Sequence, residues 1–482
     1  MQRSLSFCGI MYHIGRHVPD RQGATIMEWK MSERHCRFAG TFFPADARVL
    51  AAEVEACLQA AGEAGAAPPC AIVSAHAGYA YSGRFAGLSF ASVTWTPARV
   101  VVVSPSHRYW FRGLAFPSQD VFATPLGPLA IDRRACAALA DAGLAHQEDA
   151  AHDNEHGIET QLPFIRSLWP EARLVPLVCG DVPATQVAAA LDALADPDTL
   201  TVLSSDLSHF LTQDEATRKD AETARLIETG EAEALRPDNA CGATGLRGWL
   251  LSEAGQGARA LRLGMGDSAA VTGDRDRVVG YGAWAFYPSG AAMLTHGARS
   301  TLLGIARDAI RTRLIGGRAA PHAESNLTPL QTFAASFVTL TEAGALRGCI
   351  GSLTPHRPLV EDVVENALRA GFHDPRFPPV TAELLDRLRI SISVLGRPKP
   401  LRCADEAEAL ARITPGKDGL ILSSGGRRGV FLPSVWETLA DPRAFLEGLK
   451  RKAGLPPDHW GRDYVLETFR VESFAEPGPA MS

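Results

Sequence analysis

An α/β fold with a doubly wound, mostly parallel sheet, followed by a smaller α+β domain, is what this sequence predicts. Three observations carry the prediction. Short apolar runs alternate with helix-period segments through the first part of the chain, the βαβα order of a parallel sheet wrapped by helices. After Pro288-Ser289-Gly290 the order of elements becomes irregular, which suits an α+β unit. Finally, three of the apolar runs end in residues that carry chemistry: Ala71–Ala75 delivers His76, Val100–Ser106 delivers His107, and Leu200–Ser205 delivers Asp206 and then His209. Ligands of open α/β sheets bind outside the carboxyl ends of the strands, so these side chains are expected in one crevice.

In chain order, residues 1–34 read as a tail or an overlong start, without the apolar core and cleavage site of a signal peptide. Ala47–Ala61 has Val49, Leu50, Val54 and Cys57 at helical spacing. Strands end near Ala75, Ser104, Cys179 and Ser205, and helices fall near Asp132–Ala142, Ile158–Leu168, Ala184–Leu194 and Asp214–Glu228. Val278–Tyr287 is a last apolar strand, closing a first domain at 35–288, with a linker at 289–294 and a second domain at 295–476 ahead of a tail at 477–482. The second domain opens with a helix from Leu294, broken at Gly316-Gly317. Strands are expected at Thr332–Leu340 and Arg389–Val394, a hairpin at Gly419–Ser423 and Gly429–Leu432, and helices at Leu359–Ala370 and Pro442–Ala453.

Composition bounds the function. Of the 482 residues, 46% are apolar and 21% charged, the mix of a globular protein with a sizeable core. No apolar stretch reaches the ~18 residues of a membrane span, so no membrane partner is expected. A net charge of −6, divided as −9 before Leu294 and +3 from it onward, argues against nucleic acid as a partner. The nine cysteines form no CxxC pair, which excludes a zinc ribbon, a thioredoxin-type site and a radical-SAM cluster, and points to reduced thiols in a cytoplasm.

His76 and His107 occupy equivalent topological positions and are candidate metal ligands. A turn bearing Gly78, Tyr79, Tyr81 and Gly83 follows His76 and is suited to lining a pocket. Asp206 reads either as a helix N-cap or as a site residue, and His209 as an acid or base. Cys241, in Asp238-Asn239-Ala240-Cys241-Gly242, is a small buried hydrophobe or a third ligand; two imidazoles with a thiolate would suit iron, copper or zinc. His152-Asp153-Asn154-Glu155-His156 matches the H-x-x-E-H signature of a zinc protease, in which both histidines share one helix face. Gly157 and Pro163 speak against so long a helix, and His156 and Glu159 are read as lining the pocket instead.

These residues resemble the Memo family, known in bacteria as protein B of the AmmeMemoRadiSam system. The resemblance rests on Ala39–Pro44, Ala75–Gly83, Pro105–His107, Asn154–Glu159, Ser204–His209 and Asn239–Gly242, and spans roughly 36–288. It implies a fold similar to LigB-like class III extradiol dioxygenases, whose non-haem iron opens catechol-type rings with O₂. It also implies one mononuclear metal ion on His76, His107 and Cys241, iron favoured with copper or zinc as alternatives, and pocket roles for Asp206 and His209. Cys241 stands where the ring-opening enzymes have a carboxylate, which leaves a redox, oxidase or binding role open.

The second region looks like an AMMECR-type domain, protein A of the same system, over about 295–475. Leu346–Gly351 (LRGCIG), Asp374–Pro379 (DPRFPP), Ile390–Leu395 and Phe431-Leu432-Pro433 carry the resemblance. Candidate residues there are Arg347, Cys349, His373 and Arg376. Gly348 marks a place where backbone could approach a ligand closely, and a nucleophilic Cys349 would need His373 or His356 as its base. The fusion implies a separate radical-SAM protein as partner. The expected function is a metal-dependent redox enzyme acting on a small aromatic or peptide ligand, with His209 as acid/base and Asp206 orienting it. The alternatives are a non-catalytic scaffold that binds a peptide or protein through the same pocket, and the zinc protease.

Overall fold

The computed structural model describes residues 31–60, 67–317, 328–461 and 463–477. Its first half is built on a nine-stranded sheet whose centre is four parallel strands. These are β1 (Ala71–Ser74), β2 (Arg99–Pro105), β3 (Arg173–Cys179) and β4 (Thr199–Ser204), side by side in the order β1-β4-β2-β3. Each is an almost wholly buried apolar run, the signature of a strand covered on both faces. Helices predicted at 132–142, 184–194 and 214–228 are found at Arg133–Asp141, Ala184–Ala193 and Gln213–Thr229.

The sheet is mixed, not mostly parallel to its edges. Beyond β1 runs the antiparallel β6 (Val278–Tyr287), which pairs with β5 (Arg259–Asp267) and, across a bulge, with His209–Leu211. Beyond β3 lies antiparallel Leu114–Phe116. Sequence pattern passed over β5 because Arg-Ala-Leu-Arg-Leu-Gly-Met-Gly-Asp lacks β-branched residues and carries two glycines. Its glycines are required by packing: a Cβ at Gly264 would lie 2.5 Å from Leu88, and one at Gly266 2.8 Å from Phe85.

The second domain opens on helix His296–Leu314 and holds two four-stranded sheets. One runs Ala345–Gly351, Ser336–Glu342, Leu388–Leu395, Val471–Ala475; the other runs Lys399-Pro400, Val465–Phe469, Gly419–Ser424, Arg427–Phe431. The expected hairpin is present, as are helices Leu359–Phe372 and Pro442–Lys452. The LRGCIG motif is itself a strand, paired antiparallel with Ser336–Glu342.

One apolar core runs through both domains, taking in Leu261 and Phe286 on one side and Leu302, Ile390 and Val394 on the other. Buried ions cross the junction: Arg259 pairs with Glu472 at 2.7 Å, and Glu472 also holds Arg299 at 2.9 Å. Among the described residues no helix is long and apolar enough to cross a membrane.

Candidate metal centre

Because β1, β4 and β2 are adjacent and parallel, their carboxyl ends present His76, Asp206 and His107 next to one another. A fourth group, His156, comes from the short helix His156–Glu159. The rings of His76, His107 and His156 have centroids 4.9, 5.2 and 4.3 Å apart, and one nitrogen from each lies within 4.8 Å of the others. Cys241 arrives from the loop before helix Ala243–Leu251 and sets its Sγ 3.2 Å from His76 Nε2.

Hydrogen bonds settle which nitrogens face the cluster. The single Ser204 hydroxyl proton goes to the Gly157 carbonyl at 2.5 Å, so Ser204 Oγ can only accept from His76 Nδ1, 2.8 Å away. His76 therefore carries its proton on Nδ1, and Nε2 keeps a lone pair. His107 Nδ1 donates to Glu155 Oε1 at 2.8 Å, while its backbone N–H donates to Oε2, which leaves His107 Nε2 bare as well. Such outer-shell partners fix the tautomer and orientation of metal-binding imidazoles. Gly157 leaves no room for a side chain here, since a Cβ would sit 2.3 Å from Ser104 Oγ and 3.2 Å from both His76 Nδ1 and Glu155 Oε1.

Burial, then the charge of His107, pushes His76 down to about 3; burial, then its two ring neighbours, does the same to His156. Both imidazoles are thus neutral, the form that binds metal. Burial alone would raise Glu155, but the His107 ring, its backbone N–H and the Gly157 N–H hold the carboxylate down to about 2. Burial and Asp206 push the Cys241 thiol up to about 12, so in the absence of a cation its S–H faces His76 Nε2. Burial raises Asp206 above the ordinary carboxylate range, against the pull of the His76 N–H donated to it at 2.8 Å. The residues fit a metal ion: neutral imidazoles with bare nitrogens converge beside a thiol, and His156 Nδ1 is buried without a hydrogen-bond partner.

The other expected residues fall as follows. Asp206 is no N-cap; the next helix starts at Gln213, capped by Thr212. His209 is exposed at the rim, its Nδ1 2.9 Å from the Leu207 carbonyl. Tyr79 is buried and donates to the Thr160 carbonyl, whereas Tyr81 is exposed. Glu159, expected to line the pocket, faces the N-terminal segment instead. It pairs with Arg34 at 2.6 Å and accepts from Cys36 Sγ and from the Arg37 and Phe38 N–H groups.

The protease motif is also corrected. His152 lies on helix Asp149–Asp153 and His156 on a separate helix, with Asn154-Glu155 between them, so they share no helix face. His152 Nε2 is 3.2 Å from the Ala115 carbonyl, away from the cluster. Sequence reading missed Glu155 as a partner of His107, and Ser204 as that of His76; the signal for the first was the acidic residue inside the discarded motif.

In the second domain the two motifs meet. Arg376 grips Asp374 at 2.9 and 2.7 Å, Asp374 accepts the Cys349 N–H at 2.9 Å, and Arg376 also donates to the Cys349 carbonyl. These donors hold Asp374 well below the usual carboxylate range. Cys349 Sγ accepts from Thr339 Oγ1 at 3.2 Å. Neither expected base makes a hydrogen bond to it: His373 caps helix Leu359–Phe372, and His356 Nδ1 lies 2.9 Å from the Thr354 carbonyl. Arg347 stands 3.8 Å from Glu342, with Phe377 beneath it. Gly348 meets the Ala370 carbonyl, not a ligand, with 2.2 Å between that oxygen and an added Cβ.

Comparison with known proteins agrees with this division. The Memo-like protein family matches residues 34–285, and the AMMECR1 family matches 303–474. A MEMO1 family protein of Methanopyrus kandleri is 32% identical over 53% of this chain and 99% of its own length. A Methanothermobacter thermautotrophicus protein is 38% identical over 39% of this chain and 98% of its own length. A solved structure of an uncharacterized Pyrococcus horikoshii protein, 37% identical, covers 37% of this chain and 91% of that one with a TM-score of 0.35.

Proposed function

For a chain that belongs to the Memo-like family and joins to it an AMMECR1 domain, we propose a metal-dependent redox enzyme related to the extradiol dioxygenases. His76, His107 and Cys241 would hold one ion, with His156 in reach of it. The carrying observation is that His76 and His107 each have one nitrogen tied down, by Ser204 and Glu155, which leaves the other for the cluster, where that of His76 meets the Cys241 thiol at 3.2 Å. A thiolate beside imidazoles suits iron, copper or zinc, and the relation to the extradiol dioxygenases favours iron among them. Such an ion supplies redox chemistry and a Lewis acid to a bound substrate.

The chain's own residues do the rest. Glu155 and Ser204 hold the imidazoles in one tautomer. Asp206 fixes the backbone of His76 from beneath. His209, at the rim, exchanges protons with a substrate entering from solvent. A cavity of about 510 Å³ adjoins His107 and is walled by Tyr109, Trp110 and Phe111, which suits a small aromatic or peptide ligand. A separate radical-SAM protein would supply the third activity of the system, and nine scattered cysteines without a CxxC pair support a reducing cytoplasm as its compartment.

The exposure of Trp110 (72%) and Phe210 (60%) favours a second reading, in which the same rim docks a peptide without turnover. Metal analysis of anaerobically purified protein, with O₂ uptake on catechol-like substrates, separates the two. The enzyme reading expects one equivalent of metal in the wild type and almost none in His76→Ala or His107→Ala. It also expects a shifted visible spectrum in Cys241→Ser. Full metal content in the double histidine variant would overturn it.

A further inference from the structure

A second cleft lies between the domains, lined by none of the clustered histidines. It encloses about 820 Å³, within the range of small-molecule sites. Its walls carry opposite charge. The first domain contributes Asp192 and Glu253, drawn together because the Glu253 N–H donates to Asp192 Oδ1 at 2.8 Å. The second domain contributes Arg397, Lys399, Arg402, Arg412 and Arg470, with one carboxylate, Asp418, among them.

Some of these charges are already neutralised. Arg412 pairs with Glu408, and Arg470 pairs with Asp418. Among the described residues, Lys399, Arg402, Arg397, Asp192 and Glu253 make no ion pair within 4.0 Å. Free opposite charges on facing surfaces attract, and mobile walls would close on each other. The junction ties the two walls together through a shared apolar core and the buried Arg259–Glu472–Arg299 network. Arg397 is likewise pinned. Its guanidinium donates to the Gly255 and Gly230 carbonyls at helix ends, and a Cβ at Gly230 would collide with it. The cleft thus carries charges of both signs around one open space, with Leu251 at its wall.

We propose that this interdomain cleft binds a small zwitterion, its oxyanion end on Arg397, Lys399 and Arg402 and its ammonium end facing Asp192 and Glu253. The oxyanion is a phosphate or a carboxylate; guanidinium groups take either in bidentate fashion.

Isothermal titration of the full chain with phosphoethanolamine and with β-alanine tests this. Glycerol 3-phosphate and ethanolamine serve as probes of one charge sign each. One zwitterion should saturate below about 10 mM, and which one does assigns phosphate or carboxylate. Lys399→Ala/Arg402→Ala, both on the surface, should weaken that binding about tenfold. Glu253→Gln should narrow the advantage of phosphoethanolamine over glycerol 3-phosphate, or of β-alanine over acetate. The proposal fails if neither zwitterion saturates, if the double variant binds as the wild type does, or if a probe of one charge sign binds as tightly. A lowered melting temperature in the double variant without any ligand binding would instead make the charged walls a device that holds the domains.

Discussion

The two domains each bring a sulfur, a carboxylate and basic side chains together from separate stretches of the chain, yet they leave those groups in opposite states. In the second domain Asp374, Arg376 and the Cys349 backbone satisfy one another completely, and the Gly348 of the motif is consumed by contact with a helix. In the first, Ser204 and Glu155 occupy the outer nitrogens of His76 and His107, and the inner ones converge with only the Cys241 thiol, itself a metal-binding group, on that of His76. A closed polar network rigidifies a fold, whereas a cluster of bare donors is kept at a cost in stability and is free to bind. Polar residues at similar turns are thus told apart by what their second atom does.

Paired glycine variants should divide the domains most strongly. Gly348→Ala forces a Cβ to 2.2 Å from a backbone oxygen that cannot rotate away. A loss of about 3 kcal/mol is expected in chemical denaturation, with metal content per folded molecule unchanged. Gly157→Ala meets a rotatable hydroxyl and should cost less stability but most of the bound metal. Equal metal content in both variants would break the comparison.

Removing the outer partner of His107 comes next. Glu155→Gln should lower metal affinity about 10–100-fold, read by chelator competition, because the ring loses its charged anchor. The matching change, Asp374→Asn, should leave metal affinity alone. It should reduce stability by about 1–2 kcal/mol, since Arg376 and the Cys349 N–H lose a charged acceptor.

The smallest effect concerns Asp220, a first-domain carboxylate that accepts the Ser208 N–H but faces no cation within ion-pair distance among the described residues. Burial raises it to about 6, above the ~3.9 of an unfolded chain. The native state therefore binds an extra proton between those values, and the buried charge weighs against folding above about pH 6. Asp220→Asn should be the more stable protein at pH 8, by about 1 kcal/mol, and the difference should vanish as pH falls toward 4. A pH-independent difference in melting temperature would show that the carboxylate is compensated after all.

Much of the fold was legible because its signals are local. Continuous apolar runs at 100–103 and 200–203 gave the central strands, and the 3.6-residue period at 184–193 and 296–314 gave helices. The antiparallel edge was not legible: β5 has neither alternation nor β-branched residues, and its place depends on pairing with β6. His76 and His107 could be read from strand ends and His156 from its motif, but the role of Glu155 was missed and Glu159 was misplaced into the pocket. These last three lie within five residues of one another, and only the break after Asn154 sends Glu155 and His156 to the cluster and Glu159 to Arg34.

Chain order alone therefore determined the parallel centre of the sheet and the histidines at its carboxyl edge, since periodicity and strand length are properties of neighbouring residues. Tertiary structure decided which nitrogen of each ring stays bare, which carboxylate turns inward, and that two domains hold unlike charges across an open cleft. Those outcomes depend on hydrogen bonds and contacts between residues 48 to 135 positions apart or more, a distance over which no local pattern in the sequence carries information.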